Sequence, residues 1–357
     1  MSNSDDDEPK VVEISDDEME CEGVVEVNNE QSDEAKMREF AEITATDEIM
    51  AQSILQDVGW DLKRALDVFF GSEAFKETRN EPVMGPSSSA VGNQPVMTAE
   101  DLKARIWTIL GFELSLMSWN IDGLDGRSLA TRMKAVATIV KKVNPDILFL
   151  QEVVDRDLEP IDKLQSLYKI YYSNKGCQYY TAILVSKMFE VEKHDVVHFQ
   201  NSGMYRTLQI VEGSIGGMKV FLLNTHLESM RDHRAQRMAQ FSFCMDRCAE
   251  IIASNPGCFL FFGGDLNLRD EEISNIPDGV LDAWVSAGCD TKTKWTWDTY
   301  KNDNKQGFNG AKMRFDRIYW HGPFNRVQFS LEGRQRIRSC LCFPSDHWAI
   351  NATFSAV

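Results

Sequence analysis

Six short polar clusters hold the residues able to do chemistry: SWNIDGL (118–124), LQE (150–152), NTHLES (224–229), GGDLNLRD (263–270), RFDRIYW (314–320) and PSDHW (344–348). Between them they offer the carboxylates of Asp122, Glu152, Asp265, Asp316 and Asp346, the imidazoles of His226 and His347, and the amides of Asn120 and Asn267. Carboxylate oxygens suit a hard cation such as Mg²⁺, and no thiol stands among them. Imidazoles and amides can donate hydrogen bonds to phosphoryl oxygens. The set therefore fits metal-assisted phosphoryl chemistry better than a zinc site or acyl transfer. A serine nucleophile elbow, a Walker A loop and a dinucleotide fingerprint are missing. Taken singly, each cluster has a plainer reading, because an Asn or Asp after a strand is an ordinary turn residue or cap. His226 alone could be a satisfied core histidine. Six such clusters in succession resist that reading. They define a reaction class and leave the substrate open.

Side chains of this kind need rigid supports. The apolar runs ELSLMSW, DILFL, YTAILV, KVFLLNT and CFLFFGG read as strands, and most clusters begin where such a run ends. A strand end is rigid and opens to solvent. Helices are expected over 127–143 and 231–253, the second with Met238, Phe241, Met245, Cys248 and Ile252 as an apolar stripe. Strand pairs mixed with helices and no internal repeat argue for one mixed-sheet α/β domain over 112–357.

The front of the chain differs. Residues 1–34 carry 14 acids, one base and no aromatic residue, a composition that cannot offset its ordering entropy, so a disordered acidic tail is expected. Over 35–76, Thr46 is a candidate N-cap before Ala51, Ile54, Leu55 and Val58, which share one helical face. Gly59 ends that helix, and Asp61 can cap another carrying Leu62, Ala65, Leu66 and Phe69. With a first helix over Met37–Ile43, this makes a three-helix bundle. Residues 77–111 open with three Pro, two Gly and three consecutive Ser, and read as a linker.

The net charge of −17 over 357 residues looks hostile to nucleic acid, but it is unevenly placed. The first 100 residues hold 25 of the 55 acids and 7 of the 38 bases, which is −18 there and +1 for the remainder. An anionic substrate is therefore not excluded for the α/β domain, though binding should rest on a local groove rather than a broad basic surface. No apolar run reaches the roughly 20 residues of a membrane span, so no membrane partner is expected. The MSNSDDDEPK start lacks a secretory pattern, and the eight scattered Cys suit a reducing compartment without structural zinc.

The ordered motifs WN, QE, TH, GDLN, FDRI and SDH resemble those of the endonuclease/exonuclease/phosphatase superfamily, across nearly all of 112–357. That resemblance implies a four-layer α/β/β/α sandwich of mixed sheets. The fuller strings SWNIDGLD, LQEV, THLESMR, GGDLNLRD, TWDT, RFDRI and FPSDHW are similar to the tyrosyl-DNA phosphodiesterase family within it. Stretch 40–70 is similar to a ubiquitin-associated (UBA-like) domain, which that family also carries. The resemblance implies hydrolysis of the 5′-phosphotyrosyl bond between DNA and a trapped topoisomerase 2, with Mg²⁺ or a substituting Mn²⁺, in a nuclear protein with a cytoplasmic share.

Roles follow from the same resemblance. Glu152 is the main metal ligand, with Asp122 and Asp346 around it and Asn120 supporting the site. Asp265 orients and deprotonates the attacking water, and Asn267 positions water or phosphate. His226 and His347 meet the non-bridging phosphate oxygens, and Asp316 orients His347. Tyr179, Arg206, Ser229, Arg231 and Trp297 match a DNA-binding groove, with Trp297 as a stacking platform; a core Trp in a turn is the alternative for that residue. GDLN departs from the family in Leu266, where a small polar residue is commoner. Arg334, Arg336 and Arg338 would share one face if extended, as a phosphate track or a solvated edge.

Ubiquitin is the expected partner of 35–76. The string VVEISDDE (11–18), with Val11, Val12 and Ile14 before a run of acids, looks like a SUMO-interacting motif; an acidic solubilising tail is the alternative. Rival readings are an apurinic endonuclease, a phosphoinositide phosphatase, and an inactive ubiquitin- and SUMO-binding adaptor that only grips DNA.

Overall fold

Two strand–helix–strand units place the polar clusters. The computed structural model describes residues 11–12, 32–44, 48–71, 113–305, 307 and 310–356. Helices α1 (Asp33–Thr44), α2 (Glu48–Asp57) and α3 (Leu62–Gly71) form one unit, and residues 113–356 with strand β1 (Val11–Val12) form another.

One six-stranded sheet contains β2 (Glu113–Asn120), β3 (Ile147–Val153), β4 (Tyr168–Tyr172), β5 (Tyr180–Ser186), β14 (Arg326–Glu332) and β16 (Ala349–Ser355), in spatial order β14-β16-β2-β3-β5-β4. The other contains β6 (Glu190–His198), β7 (Thr207–Ile215), β8 (Met218–His226), β9 (Phe259–Asp265), β10 (Leu281–Asp282) and β13 (Asp316–His321), in order β10-β13-β9-β8-β7-β6. Short strands β11 (Trp297–Asp298) and β12 (Lys312–Met313) pair with each other.

In each sheet one pair is parallel and is joined by a crossover helix. α4 (Leu129–Val143) links β2 to β3, and α5 (Arg234–Ser254) links β8 to β9. A parallel pair requires such a crossover, and it leaves both strands ending on the same side. Asn120 thus sits opposite Gln151, and His226 opposite Asp265. α4 packs Met133, Val136 and Val140 with Met117, Trp119 and Leu150. α5 packs Phe241, Met245 and Cys248 with Leu260, Phe262 and Tyr319. Between the sheets lie Phe259, Phe261, Trp320, Phe324 and Phe354, with Phe261 of β9 and Phe354 of β16 at 5.0 Å between ring centroids. The expected helix–sheet–sheet–helix layering is the observed one.

Details correct the reading of α5. Met238 and Ile252 are only half-buried, while Arg237 and Gln240 are buried. Arg237 makes two bonds to Glu272, at 2.7 and 2.9 Å, and Gln240 accepts from the Glu228 amide at 2.9 Å. The buried face therefore includes ion-paired groups that a purely apolar pattern cannot register. Leu266, the odd residue of GDLN, belongs to the same core.

Before Asp265 the chain needs glycine. Gly264 has φ +132°, and a Cβ there would run into the Thr225 carbonyl of β8. Only glycine lets the two strand ends approach so closely.

In the bundle, Phe40, Ala51, Leu55, Ala65 and Leu66 form the core, and Asp61 Oδ1 accepts from the Arg64 amide at 3.0 Å, capping α3 as expected. Thr46, the linker 77–111, Ile14 and most of 1–34 lie outside the described residues. Two residues of the expected disordered tail are ordered: Val11 and Val12 pair in parallel with β15 (Arg336–Ile337). Of the arginine triplet, Arg336 bonds Asp303 at 2.9 Å and lies over the Phe343 ring, so it is committed to a fold contact. The cysteines also need correcting, because Cys340 and Cys342 are joined in a disulfide. A tight turn, with the Ile337 amide donating to the Cys342 carbonyl at 2.8 Å, brings the two thiols together.

Candidate active site

Asp265, the last residue of β9, is the hub. Its Oδ2 accepts from Asn120 Nδ2 at 2.9 Å and lies 3.3 Å from His226 Nε2 and 3.7 Å from His347 Nε2. Its Oδ1 accepts from the Asn267 amide at 3.0 Å. Burial opposes the charge, but the two imidazoles and the donors outweigh it and hold the carboxyl well below the usual range.

The two imidazoles are shifted in opposite directions. His226 Nδ1 lies 2.7 Å from Arg206 Nη1. A guanidinium can only donate, so Nδ1 is the acceptor and the proton is on Nε2, facing Asp265. Burial, reinforced by Arg206, pushes its pKa down to about 4, and the ring is neutral. His347 Nδ1 sits 2.8 Å from Asp316 Oδ2. There burial is outweighed by Asp316, Asp265 and Asp346, which raise its pKa well above the ordinary value. Asp316 thus fixes the orientation of His347 and favours a proton on its Nδ1.

Beside this hub lies a second group of acids. Glu152 accepts from Asn120 Nδ2 at 3.0 Å, so a single amide ties it to Asp265. Burial first, then the carboxylates of Asp346 and Asp122, push Glu152 up to about 7. Asp122 is pushed up to about 6 by burial and Asp346, against the pull of Lys305, whose ammonium donates to it at 2.7 Å. Asp122 Oδ2 is buried without a hydrogen-bond partner. Two carboxyls raised by burial and by the neighbouring Asp346, one of them with an oxygen that no hydrogen bond reaches and that Arg132 approaches only to 3.9 Å, suit a divalent cation. Asp265, Asp316 and His347 also bring ligand atoms within 4.8 Å of one another. There His347 and Asp316 are paired with each other, while in the trio Asp122 is paired with Lys305 and Asp346 accepts from Trp297, which leaves Glu152 the acid with only an amide donor on it.

Strain gathers at the same place. Asp122, Glu152 and Asn267 have φ of +51°, +53° and +51°. Each costs on the order of 1 kcal/mol, which the surrounding hydrogen bonds must offset.

The structure thus brings together Asn120, Asp122, Glu152, His226, Asp265, Asn267, Asp316, Asp346 and His347, with Arg206 and Tyr179 adjoining through His226. Asn267 also donates to the Leu227 carbonyl at 3.2 Å. Ser229, on the segment between β8 and α5, adjoins Arg206 through Met204, whose sulfur lies 3.3 Å from Ser229 Oγ and accepts from Arg206 Nη2 at 3.7 Å; Arg231, on the same segment, is exposed. Trp297 is a correction: it is only 9% exposed, packs on Phe315 and donates to Asp346 Oδ2 at 3.1 Å. Its position in β11 makes it a support for Asp346 rather than an open stacking platform.

Sequence reasoning missed several supports. Gln151 and Asn224 form a buried amide pair at 2.8 Å that joins the sheets beneath the site. Both stand inside the LQE and NTH motifs, so the signal was present. Ser345 Oγ bonds the Asn120 carbonyl and receives the His347 amide, and Thr296 Oγ1 receives the Asp316 amide at 3.1 Å. Lys305 comes from a polar loop, and no local pattern points it at Asp122.

Residues 117–347 match the Endonuclease/Exonuclease/phosphatase family, and residues 31–76 match a UBA-like domain. The chain is 96% identical over 357 residues to the 5′-tyrosyl-DNA phosphodiesterase of Caenorhabditis briggsae, covering 100% of both chains. Among solved structures, the tyrosyl-DNA phosphodiesterase 2 of Caenorhabditis elegans is similar at 74% identity, covering 96% of this chain and 100% of that one, with TM-score 0.69. The D. rerio enzyme complexed with single-strand DNA product is 30% identical, covering 68% of this chain and 98% of that one, with TM-score 0.63. The chain belongs to the Endonuclease/Exonuclease/phosphatase family and, within it, to the tyrosyl-DNA phosphodiesterase 2 branch.

Proposed function

We propose that the chain hydrolyses the 5′-phosphotyrosyl bond between DNA and a topoisomerase 2 remnant, leaving a 5′-phosphate, with Mg²⁺ held by Glu152, Asp122 and Asp346. One observation carries the reading: the Asp265 carboxylate is held between two imidazoles, 3.3 Å from His226 Nε2 and 3.7 Å from His347 Nε2, beside a separate acidic trio. When bound, the cation supplies a Lewis acid for a phosphoryl oxygen.

The chain's own residues do the rest. Asp265 orients the attacking water in line with the scissile bond. Held so far below the usual range, it is a weak base until substrate arrives. Phosphate oxygens compete for the Nε2 protons of His226 and His347, and each bond that moves from Asp265 to phosphate restores basicity to Asp265. The same two donors then stabilise charge developing on the phosphoryl group. Arg206 keeps His226 in the tautomer that can donate. The phenolate leaving group, with a conjugate acid pKa of about 10, needs little acid assistance.

Assaying the full chain against 5′-tyrosyl, abasic-site and phosphoinositide substrates, each with Mg²⁺ and with chelator, tests this. Tyrosyl cleavage should dominate and disappear with chelator. Faster abasic-site or phosphoinositide hydrolysis would replace the reading.

The UBA-like bundle supports ubiquitin recruitment, and VVEISDDE supports a SUMO contact, in a protein acting in the nucleus and cytoplasm. Titrating each modifier separately into the full chain should perturb the bundle with ubiquitin and residues 11–18 with SUMO; silence from either removes that partner.

A further inference from the structure

Among the described residues one disulfide is formed, between Cys340 and Cys342, two positions apart in the turn that follows β15. As a staple it does little. Stabilisation by a cross-link grows with the length of chain it closes, and here only Leu341 lies between the partners. The bond joins no two elements of the fold. Cys244, Cys248 and Cys258 are buried in the core around α5, whereas Cys340 and Cys342 are half-buried and within reach of a small molecule. In the reducing nucleus and cytoplasm proposed for this protein, a disulfide is a transient, redox-sensing bond.

The surrounding turn brings the two sulfurs together and responds to their state. Leu341 has φ +54° and is 65% exposed, a left-handed leucine that gains little from burial. Its amide donates to the Ile337 carbonyl, and the Ile337 amide donates to the Cys342 carbonyl, both at 2.8 Å. Arg336 Nη1 donates to the Leu341 carbonyl at 2.6 Å, while Nη2 holds Asp303 at 2.9 Å. A guanidinium beside the Cys-Leu-Cys turn favours thiolate, the reactive form. From Asp303 the contacts run on along the chain. Asn304 Oδ1 accepts from the Phe343 amide, and Asn304 Nδ2 donates to the Phe343 carbonyl, both at 2.9 Å. The next residue, Lys305, donates to Asp122 at 2.7 Å. The series thus ends on a carboxylate of the acidic trio.

We propose that Cys340 and Cys342 are a reversible thiol–disulfide site, oxidised by low-molecular-weight disulfides such as glutathione disulfide, whose oxidised form latches segment 302–305 to the 336–343 turn. One cysteine thiolate attacks a sulfur of glutathione disulfide, forming a mixed disulfide and expelling a glutathione thiolate. The other cysteine thiolate then attacks the protein sulfur of that mixed disulfide, closing the Sγ–Sγ bond and expelling the second glutathione. Two cysteine thiols are oxidised, one glutathione disulfide is reduced to two thiols, and the two cysteine protons pass to them. The second step is intramolecular between sulfurs that the turn already holds side by side, so the mixed disulfide is short-lived. Reduction reverses both steps. It removes the bond that pins Leu341, which can then leave the left-handed region. Its carbonyl swings away from Arg336, and the hold on Asp303 and Asn304 loosens.

The test equilibrates the full chain in buffers running from excess glutathione to excess glutathione disulfide, then traps free thiols by alkylation and locates them by peptide mapping. Cys340 and Cys342 should lose their thiols together as the buffer becomes oxidising and regain them when it is reversed. Amide hydrogen exchange on the same samples reads the latch. Exchange over 302–305 and 337–343 should be about tenfold faster in the reduced form, with the strands of both sheets unchanged. Cys342→Ser should exchange like the reduced wild type in every buffer. Cys289→Ser, which removes an exposed thiol elsewhere, should respond like the wild type. Free thiols at 340 and 342 in every buffer would overturn the proposal, as would a disulfide in every buffer. Equal exchange in the two forms would overturn the latch, and a redox response that survives Cys342→Ser would place the site on another cysteine.

Discussion

Asp265→Asn should reduce cleavage of a 5′-tyrosyl oligonucleotide by at least about 10³-fold while leaving the sandwich folded. Oδ2 faces donors from Asn120 and His226, and Oδ1 faces the Asn267 amide. An asparagine must turn its own NH₂ toward one of those donor sets, so no rotamer satisfies the site. The clash costs on the order of 1–3 kcal/mol, well within what the two packed sheets can absorb. What is lost is the anion that holds both imidazoles and the water. His347→Ala should produce a loss of similar size. The double variant should be little worse than either single one, because groups that act as a unit are not additive. Single-turnover cleavage, with DNA binding followed by anisotropy, separates chemistry from affinity. Wild-type-like turnover in either folded variant would remove the mechanism.

How far the site could be read beforehand depends on where each part of its signal lies. Asn120, Glu152, His226 and Asp265 are legible because strand alternation and apolar runs locate strand ends, and polar residues there stand out. Their protonation states are not legible. His226 and His347 look alike in sequence; only the 2.7 Å contact to Arg206 and the 2.8 Å contact to Asp316, made by chain segments distant in sequence, push one down and the other up. Trp297 shows the opposite failure. TWDT reads as a polar loop that offers a ring, but burial of that ring depends on Phe315 and Asp346, 18 and 49 positions away. The layered fold was open to reading through periodicity and motif order. The buried Arg237–Glu272 pair in α5 was not, since a charged residue on a helix reads as exposed until its partner is known.

Glu152→Gln should eliminate cleavage and, in chelator at alkaline pH, make the protein more stable than the wild type. The folded state raises this carboxyl to about 7, through burial and then the charges of Asp346 and Asp122. An acid with a folded pKa above its unfolded one weakens the fold once both forms are ionised. The penalty is absent below the ordinary carboxylate range, grows as pH rises toward 7, and is complete above it. Glutamine keeps an acceptor for Asn120 Nδ2 and carries no charge. Discounted for partial solvent contact, the relief is about 2 kcal/mol, or about 5 °C in melting temperature at pH 8. Saturating Mg²⁺ should reverse the ranking. A bound cation stabilises the wild type by mass action, while the variant has lost its main ligand. The same proton competition predicts that Mg²⁺ affinity of the wild type weakens as pH falls below 7, which calorimetry can follow. Cleavage by the variant should drop by at least about 10³-fold. Equal melting temperatures for the two proteins in chelator at pH 8 would show that the acidic trio carries no strain. A wild type unmoved by Mg²⁺ would show that these carboxylates do not hold it. The reversal ties the two halves of the site together: the repulsion that weakens the empty fold is the same charge density that draws the cation in beside Asp265.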